Sequence, residues 1–250
     1  MIARAVRAEW IKLSTVRSTP WLLTLSILFG LGIELLIALF TRNAETSSEN
    51  AVLVVLSPFS GIAGVPGIAI IVSAVIGVLC VSTEARFNTL AATFLAVPNR
   101  VLAMVAKTLV VFVTCAVTFA VAELLAVGIY LGVGSSSFDL LGDGVWSYIA
   151  LPLAAGLMAV LGLAVGAALR NSAGALTVVL AYIFVVDNVI AVVPQTRDLA
   201  PLLPMSNFQN LMGISFVDAP WPAWGSLIYL IVVIGALWAG AVALLTGRDA

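Results

Sequence analysis

Apolar residues in this chain come in long unbroken runs, without the alternating polar positions of an amphipathic soluble helix or strand. No charged residue falls between Asn50 and Thr83, between Gly144 and Leu169, or between Ala219 and Gly247. A bilayer core of about 30 Å takes roughly 20 apolar residues as helix. The pattern therefore predicts an all-α membrane protein with six transmembrane helices, at about 20–41, 61–82, 106–133, 148–169, 172–193 and 223–246. Each run must be helical in lipid, because only a helix satisfies its backbone groups within one segment. The period-two alternation of a β-barrel wall is missing. Residues 51–60, followed by Gly61, Gly64, Pro66 and Gly67, read as an outer interfacial segment ahead of the second span. The start is not a cleaved signal peptide, since its apolar stretch begins near Trp21 and is too long.

The breaks between runs orient the chain. With the N-terminus inside, Arg4, Arg7, Lys12, Arg17, Arg86, Arg100, Lys107, Arg170 and Arg248 lie on the cytoplasmic side, and only Arg42 and Arg197 lie outside. This positive-inside bias predicts a multi-pass membrane protein with both termini cytoplasmic. Trp146, Tyr148, Trp221 and Trp224 fall at the predicted outer interface, and Trp10 and Trp21 at the inner one.

Composition narrows the function. The 250 residues are 62% hydrophobic and 9% charged, against about 25% charged in soluble domains. With 11 Lys+Arg against 12 Asp+Glu there is no basic field for nucleic acid. The absence of histidine removes histidine triads, histidine metal sites and zinc-protease chemistry. We expect no catalytic residue and no metal site. Cys80 and Cys115, both in apolar runs, read as buried free thiols. No excursion from the membrane is long enough for a nucleotide-binding domain, and no P-loop glycines precede Lys12 or Lys107. The chain is not expected to hydrolyse ATP itself.

Two cytoplasmic segments carry most of the remaining signal. In 1–19, Ile2, Val6, Trp10 and Leu13 recur at helical spacing with Arg4, Arg7 and Ser14 on another face, predicting an interfacial helix lying on membrane lipid. Pro20 suits a sharp entry into the first span. After the second span, Ser82 or Thr83 is placed to cap a short helix with Glu84 in its first turn and Phe87, Leu90 and Phe94 on one face, ended by Pro98. Such a helix is shaped to dock into a groove on a soluble partner, or to pack on its own bundle.

Together, AEWIKLSTVRST (Ala8–Thr19) and EARFNTLAATFLAVPNRVLAMVAK (Glu84–Lys107) resemble the type-2 permease family of ABC transporters, in particular the short actinobacterial permeases. Glu9, Trp10, Lys12, Leu13, Arg17 and Ser18 match that family's elbow helix. Glu84, Arg86, Thr89, Leu90, Pro98, Arg100 and Lys107 match in order the segment after its second span. Asn88 departs from the glycine common there. The resemblance covers the chain in span number and is motif-specific over about 35 residues. It implies the membrane permease subunit of an ABC exporter, with no cofactor on this chain. ATP and Mg would sit on a separate cytoplasmic ATP-binding subunit, contacted through a coupling helix at about 84–94 that includes Glu84, Arg86, Phe87, Asn88, Thr89, Leu90 and Phe94. It also implies a second permease copy, identical or not, and an outer loop at 194–222 folded back as a re-entrant segment. The five prolines of that loop bracket a moderately apolar stretch, Met205–Val217, as a short re-entrant or interfacial helix would require.

Three acids fall inside predicted spans: Glu34, Glu123 and Asp187, the last beside Asn188. Each lies about 14 residues from the cytoplasmic end, roughly 21 Å of helix rise, with no basic residue in the spans facing them. They are candidates for a substrate pathway, or for hydrogen-bonded pegs between helices. A proton relay through Glu34, Glu123 or Asp187 would make the chain an ion-coupled secondary transporter; a non-transporting membrane immunity or sensor subunit is the third reading. Gly128-x3-Gly132 and Gly162-x3-Gly166 permit close helix approach, and Arg170-Asn171-Ser172 reads as a tight inner turn.

Overall fold

The computed structural model describes residues 2–42, 65–87, 99–133, 146–186, 189–190, 193, 195–213 and 219–248. Helices α1 (Ile2–Thr15), α2 (Ser18–Arg42), α3 (Val65–Arg86), α4 (Arg100–Val133), α5 (Trp146–Leu169) and α6 (Ser172–Ala181) are followed by a wide turn of helix at Tyr182–Val186. A 3-10 turn (Arg197–Leu202), α7 (Pro204–Leu211) and α8 (Ala223–Arg248) complete them. Among the described residues there is no strand. Five helices are long and apolar enough to cross a membrane: α2, α3, α4, α5 and α8. Within the expected fifth span at 172–193, Ser172–Val186 is described as continuous helix, residues 189–190 are again helical, and Val193 N–H donates to Val189 O at 3.0 Å. The expected third span begins at Arg100 and not at 106, because Asn99 caps α4 by accepting from Leu102 N–H at 3.0 Å.

Helix α5 is the hub. It packs on α3, α4, α6 and α8, while α2 leans on α3 and α4. The contact with α3 is backbone on backbone. A Cβ added at Gly77 would stand 2.0 Å from Ala159 O, and one at Gly162 would stand 2.2 Å from Ala74 O. Gly166 is also pressed against Val78. Close approach of small residues gives helices in lipid a van der Waals contact that apolar character alone does not supply. Gly128 and Gly132, by contrast, meet nothing within 4 Å. The peripheral helices turn apolar side chains outward at a spacing of four, as with Val105, Leu109, Val113, Val117 and Val121 on α4. Such continuous apolar surface suits contact with lipid or with another apolar helix face.

At the connection between α5 and α6, Arg170 adopts a left-handed conformation (φ 51) and Asn171 caps α6 by accepting from Gly174 N–H, giving the tight turn expected from the sequence. The Arg170 guanidinium reaches Leu245 O at 3.4 Å and ties the end of α8 to this turn. Pro20 does not set the entry into α2. The break falls at Val16–Arg17, and Pro20 occupies the first turn of α2, where a missing N–H costs nothing. Both cysteines are free, Cys115 buried and Cys80 partly so.

Candidate functional site

The strongest polar assembly lies where α1 meets the bundle. The face of α1 turned inward is Ala5, Glu9 and Leu13, while Ile2 and Trp10, expected on the apolar face, are exposed. Glu9 is drawn inward by a cation. Lys107, the second residue of the predicted third span and about two turns into α4, is 3% exposed and places its ammonium 2.5 Å from Glu9 Oε2 and 2.9 Å from Glu84 Oε1. Lys12, one turn after Glu9 on α1, donates to Glu9 Oε1 at 2.7 Å and to Glu84 Oε1 at 3.3 Å. Two carboxylates and two ammoniums from α1, α3 and α4 thus form one charge-balanced cluster. Burial pushes the Glu9 carboxyl up, but the Lys107 charge and the hydrogen bonds from Lys107 and Lys12 outweigh it and hold Glu9 below its ordinary 4.5.

This geometry revises the expected start of the coupling helix. Thr83 is no cap, since its hydroxyl donates to Leu79 O inside α3. Glu84 and Arg86 belong to the last turn of α3, with Phe87 bonded back to Thr83 O. An acid at a helix C-terminus opposes the helix dipole, and the two lysines offset that cost. Phe87 is 70% exposed, its ring 5.8 Å from the Arg86 guanidinium carbon. Asn88, Thr89, Leu90 and Phe94 lie outside the described residues, as do Asp187 and Asn188. Of the elbow residues, Glu9 and Lys12 join the cluster, Trp10 is exposed, and Arg17 sits exposed in the break before α2.

The two described intramembrane acids differ. Glu34 is buried and accepts from Val65 N–H at 3.1 Å. It therefore satisfies one of the orphan donors at the start of α3. Glu123 is partly buried on α4 beside the exposed Leu124 and Leu125. The structure does not bring Glu34 and Glu123 into a shared hydrogen bond among those it resolves.

A second polar assembly, which sequence reasoning did not anticipate, closes the other end of α8. Asn207 Oδ1 accepts from Trp221 Nε1 and Ser226 Oγ, each at 2.8 Å, and its amide donates to Pro201 O and Leu203 O. Asn210 donates to Ser226 Oγ and Trp221 O. Trp146 Nε1 donates to Leu211 O, and Trp221 stacks on Tyr229. Helix α7 is thereby pinned to α8 through satisfied buried amides, within the stretch expected to be an ordered outer segment. Among the described residues no group of three or more Cys, Asp or Glu is placed to hold a metal. No known family model matches the chain, and no curated protein matches it.

Proposed function

We propose that this chain is the membrane permease subunit of an ABC exporter, working as a dimer and driven by a separate ATP-binding subunit. The observation that carries the proposal is the convergence of Glu9 and Glu84 on Lys107. It ties the interfacial helix and the cytoplasmic end of α3 to the base of α4. A push on the segment that follows Phe87 would then be felt by three helices together. The exposed Phe87 beside Arg86 offers an aromatic and a cationic contact to a soluble partner. ATP closure on that partner would rock α3 and α4 against the rest of the bundle. The matching motif residues and the lack of room for a nucleotide site on this chain support the same reading.

Co-expression with a neighbouring ATP-binding subunit tests it. The two chains should co-purify, and Phe87→Ala should weaken the complex by at least about tenfold. A fully active, stable protein with no such partner overturns the proposal. Two acids within spanning helices, Glu34 and Glu123, support the ion-coupled alternative. Transport in vesicles that follows a proton gradient and ignores ATP would select it.

A further inference from the structure

The two described acids within spanning helices are held differently. Glu34 is 2% exposed and gives an oxygen to Val65 N–H. Glu123 is only partly buried, and among the described residues its carboxyl has no hydrogen bond and no ion pair. It stands on a seam of α4. Phe119, Ala122 and Ala126 are packed into the core, while Val121, Leu124 and Leu125 are 48%, 65% and 49% exposed. Glu123 lies about 24 Å along α4 from Lys107. With the Lys107 cluster at one face of a core about 30 Å thick, that is inside the apolar layer. No Lys or Arg follows Lys107 in α4, none occurs in α5 or α6, and none precedes Arg248 in α8.

We propose that Glu123 is the binding site for a lipophilic cation that reaches this seam from the surrounding apolar phase. A carboxyl at such depth is stable as the neutral acid or beside a cation, and costly as an isolated anion. Among the described residues the chain brings no cation to Glu123, so the ligand supplies the charge. Binding exchanges one for the other. The carboxyl proton leaves to water and the ligand's cationic centre takes its place, so the site is neutral before and after. The exposed Val121, Leu124 and Leu125 offer apolar contact to the body of the ligand, and its charge sets it apart from a neutral molecule of the same shape. Glu34 does not compete, because it is buried and already serves a backbone donor. The site rests on α4 lying in a bilayer. That its ligand is the transported molecule rests in addition on the reading of the chain as a permease.

Equilibrium dialysis of the full chain in a neutral detergent, with tetraphenylphosphonium as the probe, tests it. Dicyclohexylcarbodiimide, which reacts with protonated carboxyls in apolar surroundings, locates the group. The unmodified chain should hold tetraphenylphosphonium, and Glu123→Gln should weaken it by at least about tenfold, the loss of one desolvated charge pair. Glu34→Gln keeps an acceptor for Val65 N–H and should bind as the unmodified chain does. Both variants are compared at melting temperatures equal to that of the unmodified chain, which shows that they are folded. On the unmodified chain the carbodiimide adduct, mapped by peptide mass spectrometry, should fall on Glu123. Tetraphenylphosphonium should block it, and neutral triphenylphosphine oxide should not. Binding unchanged in Glu123→Gln, an equal loss in Glu34→Gln, or equal block by the neutral oxide would each overturn the proposal. An adduct on Glu123 that tetraphenylphosphonium leaves untouched would also overturn it, leaving a site for protons alone. Co-purification with an ATP-binding subunit is a separate measurement, so its failure would sink the permease reading and leave these results standing.

Discussion

Lys107 shows how one residue can organise charges brought from distant parts of the chain. Its ammonium is held in a mainly apolar surround by carboxylates 98 and 23 residues earlier. Removing one partner of a buried pair strands the rest, at about 3–5 kcal/mol. Lys107→Met should therefore lower the melting temperature of the purified protein sharply. Glu9→Gln should cost less, since Glu84 still faces Lys107; equal losses for the two would contradict the hub assignment. Because the folded protein depresses the Glu9 pKa, its contribution is present above the ordinary 4.5 and is lost as pH falls through the depressed value. The stability difference between the unmodified chain and Glu9→Gln should accordingly be full at pH 7 and shrink below 4.5, measured as thermal midpoints across that range. A signal for this cluster was available in the sequence. On the predicted cytoplasmic side only Glu9, Glu84 and Asp249 are acidic, so any lysine buried there had few partners to find. What the sequence did not disclose is that Glu84 ends a helix and does not begin one, because that depends on where α3 stops.

At the scale of elements, the two small-residue motifs look alike in sequence and differ in the fold. Gly162 and Gly166 lie against the α3 backbone, whereas Gly128 and Gly132 face open space. Periodicity cannot separate these cases, because both pairs have the same spacing and only the neighbour differs. Gly162→Ala should disrupt the α3–α5 contact by at least about 1–3 kcal/mol, as overpacking does, while Gly128→Ala should be neutral within about 0.5 kcal/mol. Comparing yields and melting temperatures of the two variants checks this. Helix α7 was legible as an ordered, proline-bracketed stretch, but not as the partner of Trp221 and Ser226. Trp221 read as an interfacial anchor because its outer position alone suffices for that role; its contact with Asn207 arises from tertiary packing. Asn207→Leu leaves the Ser226 hydroxyl without its acceptor, while Trp221 Nε1 keeps Ser226 Oγ at 3.0 Å, and should cost about 1–3 kcal/mol. Unchanged protease resistance near Gly213 in that variant would argue against α7 being held by this network.

For the molecule as a whole, hydrophobic run length predicted the long helices well, since a bilayer imposes length, helicity and apolar surface together. It located α5 and α8 to within a few residues. In the fifth span it did not foresee that the regular helix widens after Ala181, at Tyr182–Val186. It also could not identify α5 as the hub, since buried and lipid-facing helices are equally apolar. The intramembrane acids divide along the same line. Glu34 has a structural partner in Val65 N–H, which Gln would keep and Ala would lose. Glu34→Gln should therefore fold normally and Glu34→Ala should not, and transport by the Gln variant isolates any role of its charge.

The order of the charged cluster along the chain also bears on how the molecule is made. Glu9 and Glu84 both precede Lys107, so both carboxylates are synthesised before the cation that joins them. At about 5–20 residues per second, the 98 residues from Glu9 to Lys107 take roughly 5–20 s. Throughout that interval α1 has no Lys107 to hold it, and it can rest only on the membrane surface. Its final seat is set by the arrival of the third long apolar helix, which makes the first element of the chain one of the later ones to dock.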